Sequence, residues 1–470
     1  MKPEEFRTHA HDLVDWMADY IENARNYAVR SQVKPKDIIN RLPAKPPVDG
    51  EPFETIVEDF TRIILPGMTH WQHPSFFAYF PANSSPPSVL AEMLMATLGA
   101  QCMVWQTSPA AAELEERVMQ WLGQMIGLPE EFSGVIQDTA STATLCSILT
   151  ARERKTNYET NRRGLTGAPP YAVYCSTETH SSIEKAVKIA GLGRDSLRKI
   201  PVDEKFAMLP GALAEAIRRD LDGGVLPLCA VATVGTTGST AIDPLREIAR
   251  ICREHDTWLH VDAAYAGTAL LLPELRWMSD GVEMADTFVF NPHKWMFTNF
   301  DCSAYFIKDK EALVRTFEIM PEYLKTPEDD RVNNYRDWGI QLGRRFRALK
   351  LWFVIRSYGV SGLQALIRKH LDLAQDLVRR IETSEQFELM APVPLNLLCF
   401  RYHPRGTSDN VLDSLNERLL EAVNSTGKMY VTHTKLNGAY VLRLCVGQTQ
   451  VEQKDIDTAW ETIQSEASKL

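Results

Sequence analysis

The stretch Ala285–Ala304 reads A-D-T-F-V-F-N-P-H-K-W-M-F-T-N-F-D-C-S-A and holds the strand and turn that decide the fold. Its β-branched and aromatic run at 287–290 predicts a buried strand, and Asn291-Pro292 ends that strand. Lys294 follows, among large apolar side chains. Because desolvation disfavours a charged ammonium, a lysine in such a place can become neutral and form a Schiff base with a carbonyl. For a lone lysine, an amine that extends to water is the simpler interpretation.

A second stretch, Trp258–Gly267, reads W-L-H-V-D-A-A-Y-A-G and predicts another buried strand, which ends at Asp262. A carboxylate at the end of an apolar strand needs a cationic or hydrogen-bonding partner. The protonated pyridine nitrogen of pyridoxal phosphate is one such partner, and an aspartate there keeps the ring able to accept electrons. Taken alone, Asp262 could equally cap a helix or form a structural ion pair. A strand-end aspartate followed by a strand-end Lys294 indicates a pyridoxal phosphate enzyme.

The order of the predicted elements places these residues at one edge of a sheet. Strand patterns near 134, 172, 230, 259 and 288 alternate with helical patterns, which predicts an α/β fold with a doubly wound, mostly parallel sheet. Ligands bind beyond the carboxyl ends of the strands in such a sheet. The candidates that follow a predicted strand end are Ser141, His180, Thr237, Asp262 and Lys294. The topology therefore predicts that they converge on one crevice.

Small and hydroxyl residues open the helix that follows the first of these strands. The backbone N–H groups of Thr139, Ala140 and Ser141 can hold an anion, because the first turn of a helix leaves such groups without helical partners. A plain helix N-cap is the alternative; with pyridoxal phosphate in the crevice, these residues would cradle its phosphate. His180, at another strand-to-helix turn, could merely cap its helix. Further helical patterns cover 90–103, 110–126, 342–358 and 362–381, with Gly359 as a break.

Several motifs together resemble the pyridoxal-phosphate-dependent aromatic L-amino acid decarboxylases. They are N-P-H-K-W at 291–295, H-V-D-A-A-Y-A-G at 260–267, H-P-S-F-F-A-Y-F-P at 73–81, S-P-A-A-A-E-L-E at 108–115 and L-G-R-R-F-R-A-L-K-L-W at 342–352. The similarity covers nearly the whole chain. It implies an N-terminal helical dimerisation segment at 1–85, a pyridoxal-phosphate transferase-like large domain at 86–359 with a seven-stranded-type sheet, and a small α+β domain at 360–470.

The resemblance also implies roles for single residues. Lys294 would hold the cofactor as a Schiff base, Asp262 would pair with the ring nitrogen, and His180 would stack on the ring. The implied cofactor-binding residues are Thr139, Ala140, Ser141, His180, Thr237, Asp262, Ala264, Asn291, His293 and Lys294. The implied substrate-binding residues are Trp71, Tyr79, Phe80, Pro81, Ala82, Gln101, Met103, His293 and Gly343, with Gln101 and Met103 coming from the neighbouring subunit.

The polar run 325–338 predicts a mobile loop. Its motif N-Y-R-D-W resembles the catalytic loop of the same enzymes, which implies that Tyr335 protonates Cα of the substrate. Relatives that form aldehydes carry phenylalanine at the position matching Tyr335, or an altered residue at the position matching His180. Because this chain keeps both residues, we expect decarboxylation of an aromatic L-amino acid to an arylalkylamine and carbon dioxide, with an aromatic aldehyde synthase as the alternative.

Other reactions fit the sequence less well. An aminotransferase would need an arginine for the substrate carboxylate, and a glutamate decarboxylase would need cations in the segment 71–81, which has none. A non-catalytic scaffold of the same fold would not need both Asp262 and Lys294. Ala82 weakens an assignment to DOPA, and Gly343 leaves room for an indole. Tryptophan, tyrosine, phenylalanine, DOPA and 5-hydroxytryptophan all stay open as substrates.

Composition limits the class of protein. The 470 residues, 44% of them hydrophobic and 24% charged, are typical of a globular protein with more than one domain. The net charge of -10 argues against nucleic-acid binding. The eight cysteines lack any zinc spacing, which predicts free thiols in a reducing compartment and no metal site. Neither a signal-peptide pattern nor a membrane-spanning run occurs, so we expect a cytoplasmic protein without a membrane partner.

Apolar residues recur at helical spacing between Phe6 and Ala24 and predict an amphipathic helix. Such a helix could pack on its own domain or on a partner subunit. The family resemblance implies the second arrangement, in which N-terminal helices interlock across a homodimer whose active sites draw residues from both chains.

Overall fold

The larger sheet confirms the predicted mostly parallel α/β fold. The computed structural model describes residues 1–319 and 331–470, so positions 325–330 of the predicted loop lie outside the described residues. Within those residues the sheet has seven strands: β1 Ser133–Gln137, β2 Tyr171–Ser176, β3 Leu197–Ile200, β4 Leu226–Thr233, β5 Trp258–Asp262, β6 Thr287–Phe290 and β7 Ser303–Ile307. Their order is β1-β7-β6-β5-β4-β2-β3.

The direction of the strands decides which residues can meet. Strands β3, β2, β4, β5 and β6 pair in parallel, whereas β7 pairs antiparallel with both β6 and β1. Strand β1 therefore runs in the same direction as the parallel group. The carboxyl ends of these six strands lie along one edge of the sheet, where β7 begins.

The helices cover much of the remaining chain. They are α1 Pro3–Asn23, α2 Phe53–Asp59, α3 Pro86–Leu98, α4 Pro109–Ile126, α5 Ala140–Lys155, α6 Glu159–Arg163, α7 Ser182–Ile189, α8 Pro210–Asp222, α9 Leu245–Glu254, α10 Pro292–Trp295, α11 Lys310–Phe317, α12 Arg347–Glu382, α13 Asp409–Ser425 and α14 Gln453–Ala467. Two helix predictions were too long. Helix α3 ends before Gly99, which adopts φ +57°, and α12 begins at Arg347 rather than at 342. Gly359, at φ 64°, interrupts α12 as predicted.

Packing divides the chain into two units. The larger unit holds residues 82–372 and 391–397, and the smaller unit holds 1–81, 373–390 and 398–470. In the larger unit, β2, β5, β6 and β7 are buried at every position, as expected for strands covered on both faces. Helix α5 is the central helix of this core, and ten of its residues are buried.

The smaller unit has its own sheet, which contains four strands in the described part of the chain: β8 Phe387–Leu389, β9 Leu397–Tyr402, β10 Thr432–Leu436 and β11 Ala439–Cys445. Their order is β10-β11-β9-β8, and α13 and α14 accompany them, so this region is α+β as predicted. Helix α1 buries none of its residues, although Trp16 packs on Phe60 and Tyr20 hydrogen-bonds His70 at 2.8 Å.

Two further observations concern the described residues alone. No helix in the described ranges is long and apolar enough to cross a membrane. In the same ranges, no cluster of histidine, cysteine, aspartate and glutamate side chains could hold a metal ion. All eight cysteines are free and buried.

Candidate active site

Five chain segments with predicted site residues meet at the carboxyl edge of the larger sheet. In sheet order they are the start of α5 after β1, the turn 291–294 after β6, Asp262 at the end of β5, the loop with Thr237 after β4, and the turn with His180 after β2. Because these strands all run in the same direction, the residues lie along one edge, as the sequence pattern predicted.

Asp262 is a buried carboxylate with one open oxygen. Only 5% of the residue is exposed, and its Oδ1 accepts a hydrogen bond from the Ala264 N–H at 3.0 Å. Its Oδ2 makes no hydrogen bond with any residue in the described ranges. A carboxylate in such a buried, mostly apolar place favours a cationic or hydrogen-bonding partner. The arrangement therefore fits a ligand that brings a protonated nitrogen to the end of β5.

Lys294 sits on a one-turn helix that is tied to its neighbours through the backbone. The Asn291 N–H donates to the Ala264 carbonyl at 3.0 Å, which joins the turn after β6 to the turn after β5. The Lys294 N–H donates to the Asn291 carbonyl at 2.9 Å, and the Ser303 hydroxyl donates to the Asn291 side-chain oxygen. These contacts fix the direction in which the lysine side chain leaves the backbone.

The electrostatic neighbours of His180 connect three of the predicted residues. Desolvation lowers the pKa of the His180 imidazole; the negative charge of Asp262 opposes this shift, and the positive charge of Lys294 reinforces it. The His180 Nδ1 lies 2.8 Å from the Ser182 hydroxyl, which holds the ring at the exposed mouth of the edge. Asp262 and Lys294 therefore both lie close enough to His180 to affect its charge.

His293 is a neutral and buried imidazole. Burial, and then the charge of Lys294, lower the pKa of His293 to about 3. Its Nδ1 accepts a hydrogen bond from the Cys302 N–H at 2.8 Å, so the ring proton lies on Nε2. We predicted contact with phosphate or with the substrate carboxylate; from this position His293 can offer a hydrogen-bond donor but not a positive charge.

The start of α5 supplies backbone donors to the same edge. The Thr139 side chain caps the helix by accepting from the Thr142 N–H at 3.4 Å. Ser141 is exposed and Ala140 is buried beneath it. The first-turn N–H groups of a helix have no acceptor within the helix and favour an anion.

Two glycines let the strand-end turns approach closely. Gly235, after β4, has φ +88°, and a Cβ there would lie 2.7 Å from the Cβ of Ala266. A Cβ on Gly267, after β5, would overlap the Cβ of Phe290 at the end of β6. Larger residues at either position would push apart the turns that carry Thr237, Asp262 and Lys294.

Comparison with known proteins identifies the family. Residues 35–403 match the model of the pyridoxal-dependent decarboxylase conserved domain. The chain belongs to the pyridoxal-dependent decarboxylase family. This family membership makes the protein an enzyme with pyridoxal phosphate as its cofactor.

The relatives of this decarboxylase are similar over their whole length. Tyrosine decarboxylase 1 of Narcissus pseudonarcissus is 42% identical, with all of this chain and 94% of the relative covered. Phenylacetaldehyde synthase of Petunia hybrida is 40% identical, with coverage of 100% and 96%. The crystal structure of Catharanthus roseus tryptophan decarboxylase with L-tryptophan superposes with a TM-score of 0.94 at 38% identity, and covers 100% of this chain and 99% of its own.

The residues at the edge fit pyridoxal phosphate. The open Oδ2 of Asp262 suits the ring nitrogen, the first turn of α5 suits the phosphate, and Lys294 supplies the amine for the aldehyde carbon. His180 lies at the open side, where an imidazole can cover the ring. The donor set thus contains one group for each functional part of the cofactor.

Tyr335 is buried in the described part of the chain. Its ring lies 4.8 Å from the guanidinium of Arg344 and packs beside Trp338. Burial, followed by the charges of Glu115 and Glu116, raises the pKa of the Tyr335 phenol. Its oxygen makes no hydrogen bond with any described residue. The role of Tyr335 as the proton donor to Cα, which its sequence motif implies, stays a prediction.

The predicted substrate residues divide between the two units. In the smaller unit, Trp71 stacks on Tyr79 with ring centroids 5.7 Å apart. The guanidinium of Arg443 lies 4.7 Å from the centroid of the Phe80 ring. Pro81, the next residue, belongs to the same unit. The sequence analysis missed Tyr430, whose hydroxyl lies 3.5 Å from that of Tyr79. The strand pattern around Tyr430 gave no sign of this contact, because the two tyrosines are distant in the chain.

In the larger unit, Gln101 and Gly343 are neighbours. The Gln101 side-chain oxygen accepts a hydrogen bond from the Arg344 N–H at 2.7 Å. Gln101 and Gly343 line a cavity of about 340 Å³. The Met103 carbonyl accepts from the Arg336 N–H at 2.9 Å. Ala82 belongs to the same unit. Their roles as substrate contacts, including a contribution from a neighbouring subunit, stay predictions.

Proposed function

We propose that this enzyme decarboxylates an aromatic L-amino acid to the corresponding arylalkylamine. One observation carries the proposal: at the carboxyl edge of the sheet, His180 interacts electrostatically with both Asp262 and Lys294. The full-length similarity to a tyrosine decarboxylase and to a tryptophan decarboxylase supports an aromatic substrate.

Each residue of the edge has a defined task in this proposal. Pyridoxal phosphate, when bound, withdraws the electron pair that the departing carboxylate leaves behind. The Asp262 carboxylate holds a proton on the ring nitrogen and so keeps the ring electron-deficient. Lys294 binds the cofactor between turnovers and afterwards displaces the amine product. His180 covers the open face and excludes water, and the first turn of α5 holds the phosphate.

The donor of the proton to Cα must be a group that can reach the open edge. Tyr335 is the candidate that the sequence motif implies, and His180 or a water molecule held at this edge is the alternative. The segment 320–330, outside the described residues, contains a second tyrosine, Tyr323, next to the loop predicted from the sequence. Variants of these residues assign the donor.

An aldehyde synthase is the second candidate, because the chain is also 40% identical to a phenylacetaldehyde synthase over its full length. In that reaction dioxygen attacks where a proton would otherwise be added, and the products are aldehyde, ammonia, hydrogen peroxide and carbon dioxide. Slow proton delivery to Cα favours this outcome. The proton donor therefore decides between the two reactions.

The aromatic side chain accepted by the enzyme can be identified with a substrate panel. Purified protein with pyridoxal phosphate is incubated with tyrosine, tryptophan, phenylalanine, DOPA and 5-hydroxytryptophan, and the amines are quantified by mass spectrometry. We expect an amine from at least one of them and none from glutamate. Amine from glutamate alone would refute the aromatic assignment.

We further propose that the enzyme is a cytoplasmic homodimer with shared active sites. Helix α3 exposes a stripe of leucines four residues apart, and α1 leaves Phe6 59% exposed. The leucine stripe consists of Leu90, Leu94 and Leu98. Residues at this spacing share one helix face, so a second copy can cover them. Eight buried free thiols agree with a reducing compartment.

A further inference from the structure

A chain of buried hydrogen bonds connects α5 to the two strands that carry the active-site edge. The His260 Nε2 lies 3.0 Å from the Thr144 hydroxyl on α5, and its Nδ1 lies 2.9 Å from the Thr287 hydroxyl on β6. The Thr287 hydroxyl lies 2.8 Å from the Ser147 hydroxyl, again on α5. Trp258, on β5, donates its indole N–H to Ser147 at 2.9 Å. The chain thus crosses between helix and sheet three times.

The chain lies on the same face of the sheet as the cofactor-binding groups. Side chains two residues apart on a strand point to the same face, so His260 and Asp262 share the face on which α5 packs. Thr287 reaches the same helix from β6. Thr144 lies four residues after Ala140, the first residue of α5. The network therefore sits directly beneath the edge that holds Asp262, the turn of Lys294 and the start of α5.

One direction in the network is fixed: an indole N–H is only a donor, so Ser147 accepts from Trp258. The other three hydrogen bonds join hydroxyl groups and the neutral His260 ring, which can each donate or accept. Burial lowers the pKa of His260 to about 4, so the ring is neutral at physiological pH. All five residues of the network are buried.

We propose that His260 is a positioning residue: with its three hydroxyl partners it holds the start of α5 in register with the ends of β5 and β6. The proposal rests on the cofactor-binding roles given above. Pyridoxal phosphate is rigid between its phosphate and its ring nitrogen, so its affinity depends on the separation between the first turn of α5 and Asp262. Loosening the network should alter that separation without removing any group that touches the cofactor.

Two isosteric changes on the same helix test the proposal. Thr144→Val removes the hydroxyl that faces His260, whereas Thr150→Val removes an equally buried hydroxyl that bonds only to the Cys146 carbonyl of its own helix, at 2.8 Å. Pyridoxal phosphate is titrated into cofactor-free protein, and the visible circular dichroism of the bound cofactor is recorded. We expect Thr144→Val to raise the Kd about tenfold and to change the visible band, and Thr150→Val to stay within about twofold of the parent.

A second pair acts at Thr287. Thr287→Val breaks the network and should weaken cofactor binding, whereas Thr287→Ser keeps the hydroxyl and should restore it. Thermal unfolding of the cofactor-free variants shows whether each one folds. If Thr144→Val does not fold, the Kd values of the two Thr287 variants test the proposal instead. Equal Kd values for Thr287→Val and Thr287→Ser, or for Thr144→Val and Thr150→Val, would overturn the proposal.

The outcome is independent of the proposed reaction, because cofactor affinity does not require a particular substrate. If the parent protein makes no amine from any aromatic amino acid and the predicted pattern of Kd values still appears, the proposed function fails and the positioning role stands. If amine forms and the pattern is absent, the positioning role fails alone.

Discussion

Lys294 is the residue to which we assign covalent attachment of the cofactor. Borohydride reduction should fix pyridoxal phosphate to the parent protein, and peptide mass spectrometry should locate it on Lys294. Lys294→Ala should lose both the attachment and nearly all turnover. Lys185→Ala is the control, since the charge of Lys185 also reaches His180, and it should keep the attachment at Lys294. Full-stoichiometry labelling of Lys294→Ala would rule this lysine out.

Asp262 is expected to act through its charge rather than its shape. Asp262→Asn keeps the size of the side chain and removes the negative charge that holds a proton on the ring nitrogen. Removing one preorganised electrostatic contact typically lowers kcat by about 10²–10³-fold, and we expect a loss of that order here. Cofactor binding should weaken but persist, as followed by visible absorbance. A variant with parental kcat would place the partner of the ring nitrogen elsewhere.

Tyr335→Phe tests the predicted proton donor to Cα. An unpaired buried hydroxyl costs about 1–3 kcal/mol, so this change should preserve or raise the free energy of unfolding. Amine output should fall, and oxygen uptake and aldehyde should appear, because the missing phenol is the proposed source of the proton. Kinetics with an oxygen electrode and chemical denaturation measure both quantities. Amine at the parental rate with no peroxide would show that Tyr335 is not the donor.

Tyr323→Phe is the matched comparison for that experiment. It removes the same single atom from the other tyrosine near the predicted loop. If its amine output falls while peroxide appears, the donor lies in the segment 320–330. If neither tyrosine variant changes the products, His180→Gln is the next variant to test.

The single residues that sequence could identify were those fixed by local pattern. Asp262 and Lys294 each follow an apolar strand, and the carboxyl edge of a parallel sheet brings such positions together without knowledge of the packing. The burial of the Tyr335 ring depends instead on Arg344, which lies over the ring from outside the N-Y-R-D-W motif. The network of His260 was hidden because Thr144, its partner on α5, lies more than a hundred residues away in the chain.

At the level of elements, the close approach of the turns after β5 and β6 makes Gly267 sensitive. Gly267→Ala would push a methyl group into Phe290, and overpacking of this kind costs about 1–3 kcal/mol of stability. Gly211→Ala, on α8, is the control: a Cβ there meets no atom within 4 Å, and alanine favours a helix by about 0.5–1 kcal/mol. Thermal melts should show a lower Tm for the first variant and an equal or higher Tm for the second. Equal melts would show that the turns are not tightly packed.

Sequence identified the elements that carry the site better than those around it. Long apolar runs revealed β1, β2, β4, β5 and β6, whereas β3 and β7 were missed. Strand β3 has only four residues, and β7 reverses direction directly after the turn of Lys294. The predicted end of α3 was wrong because the helix ends where Gly99 adopts a left-handed backbone conformation, which the periodic pattern does not reveal.

For the whole molecule, we predict that the leucine stripe of α3 is covered by a second copy of the chain. Leu94→Glu should convert a dimer into a species of the 53.1 kDa chain mass in light scattering, because a charge cannot be buried there without a partner. Leu221→Glu, at another exposed leucine on α8, should stay dimeric. A parent protein that is fully active as a monomer would contradict the homodimer.

The measurement that tests the central claim most directly is a product balance on the parent enzyme. With the preferred aromatic L-amino acid and pyridoxal phosphate, we measure carbon dioxide, amine, aldehyde, hydrogen peroxide and oxygen uptake in one reaction. We predict equal amounts of carbon dioxide and amine, with no oxygen consumed beyond the blank. Equal amounts of carbon dioxide, aldehyde and peroxide, or no product from any aromatic amino acid, would contradict it.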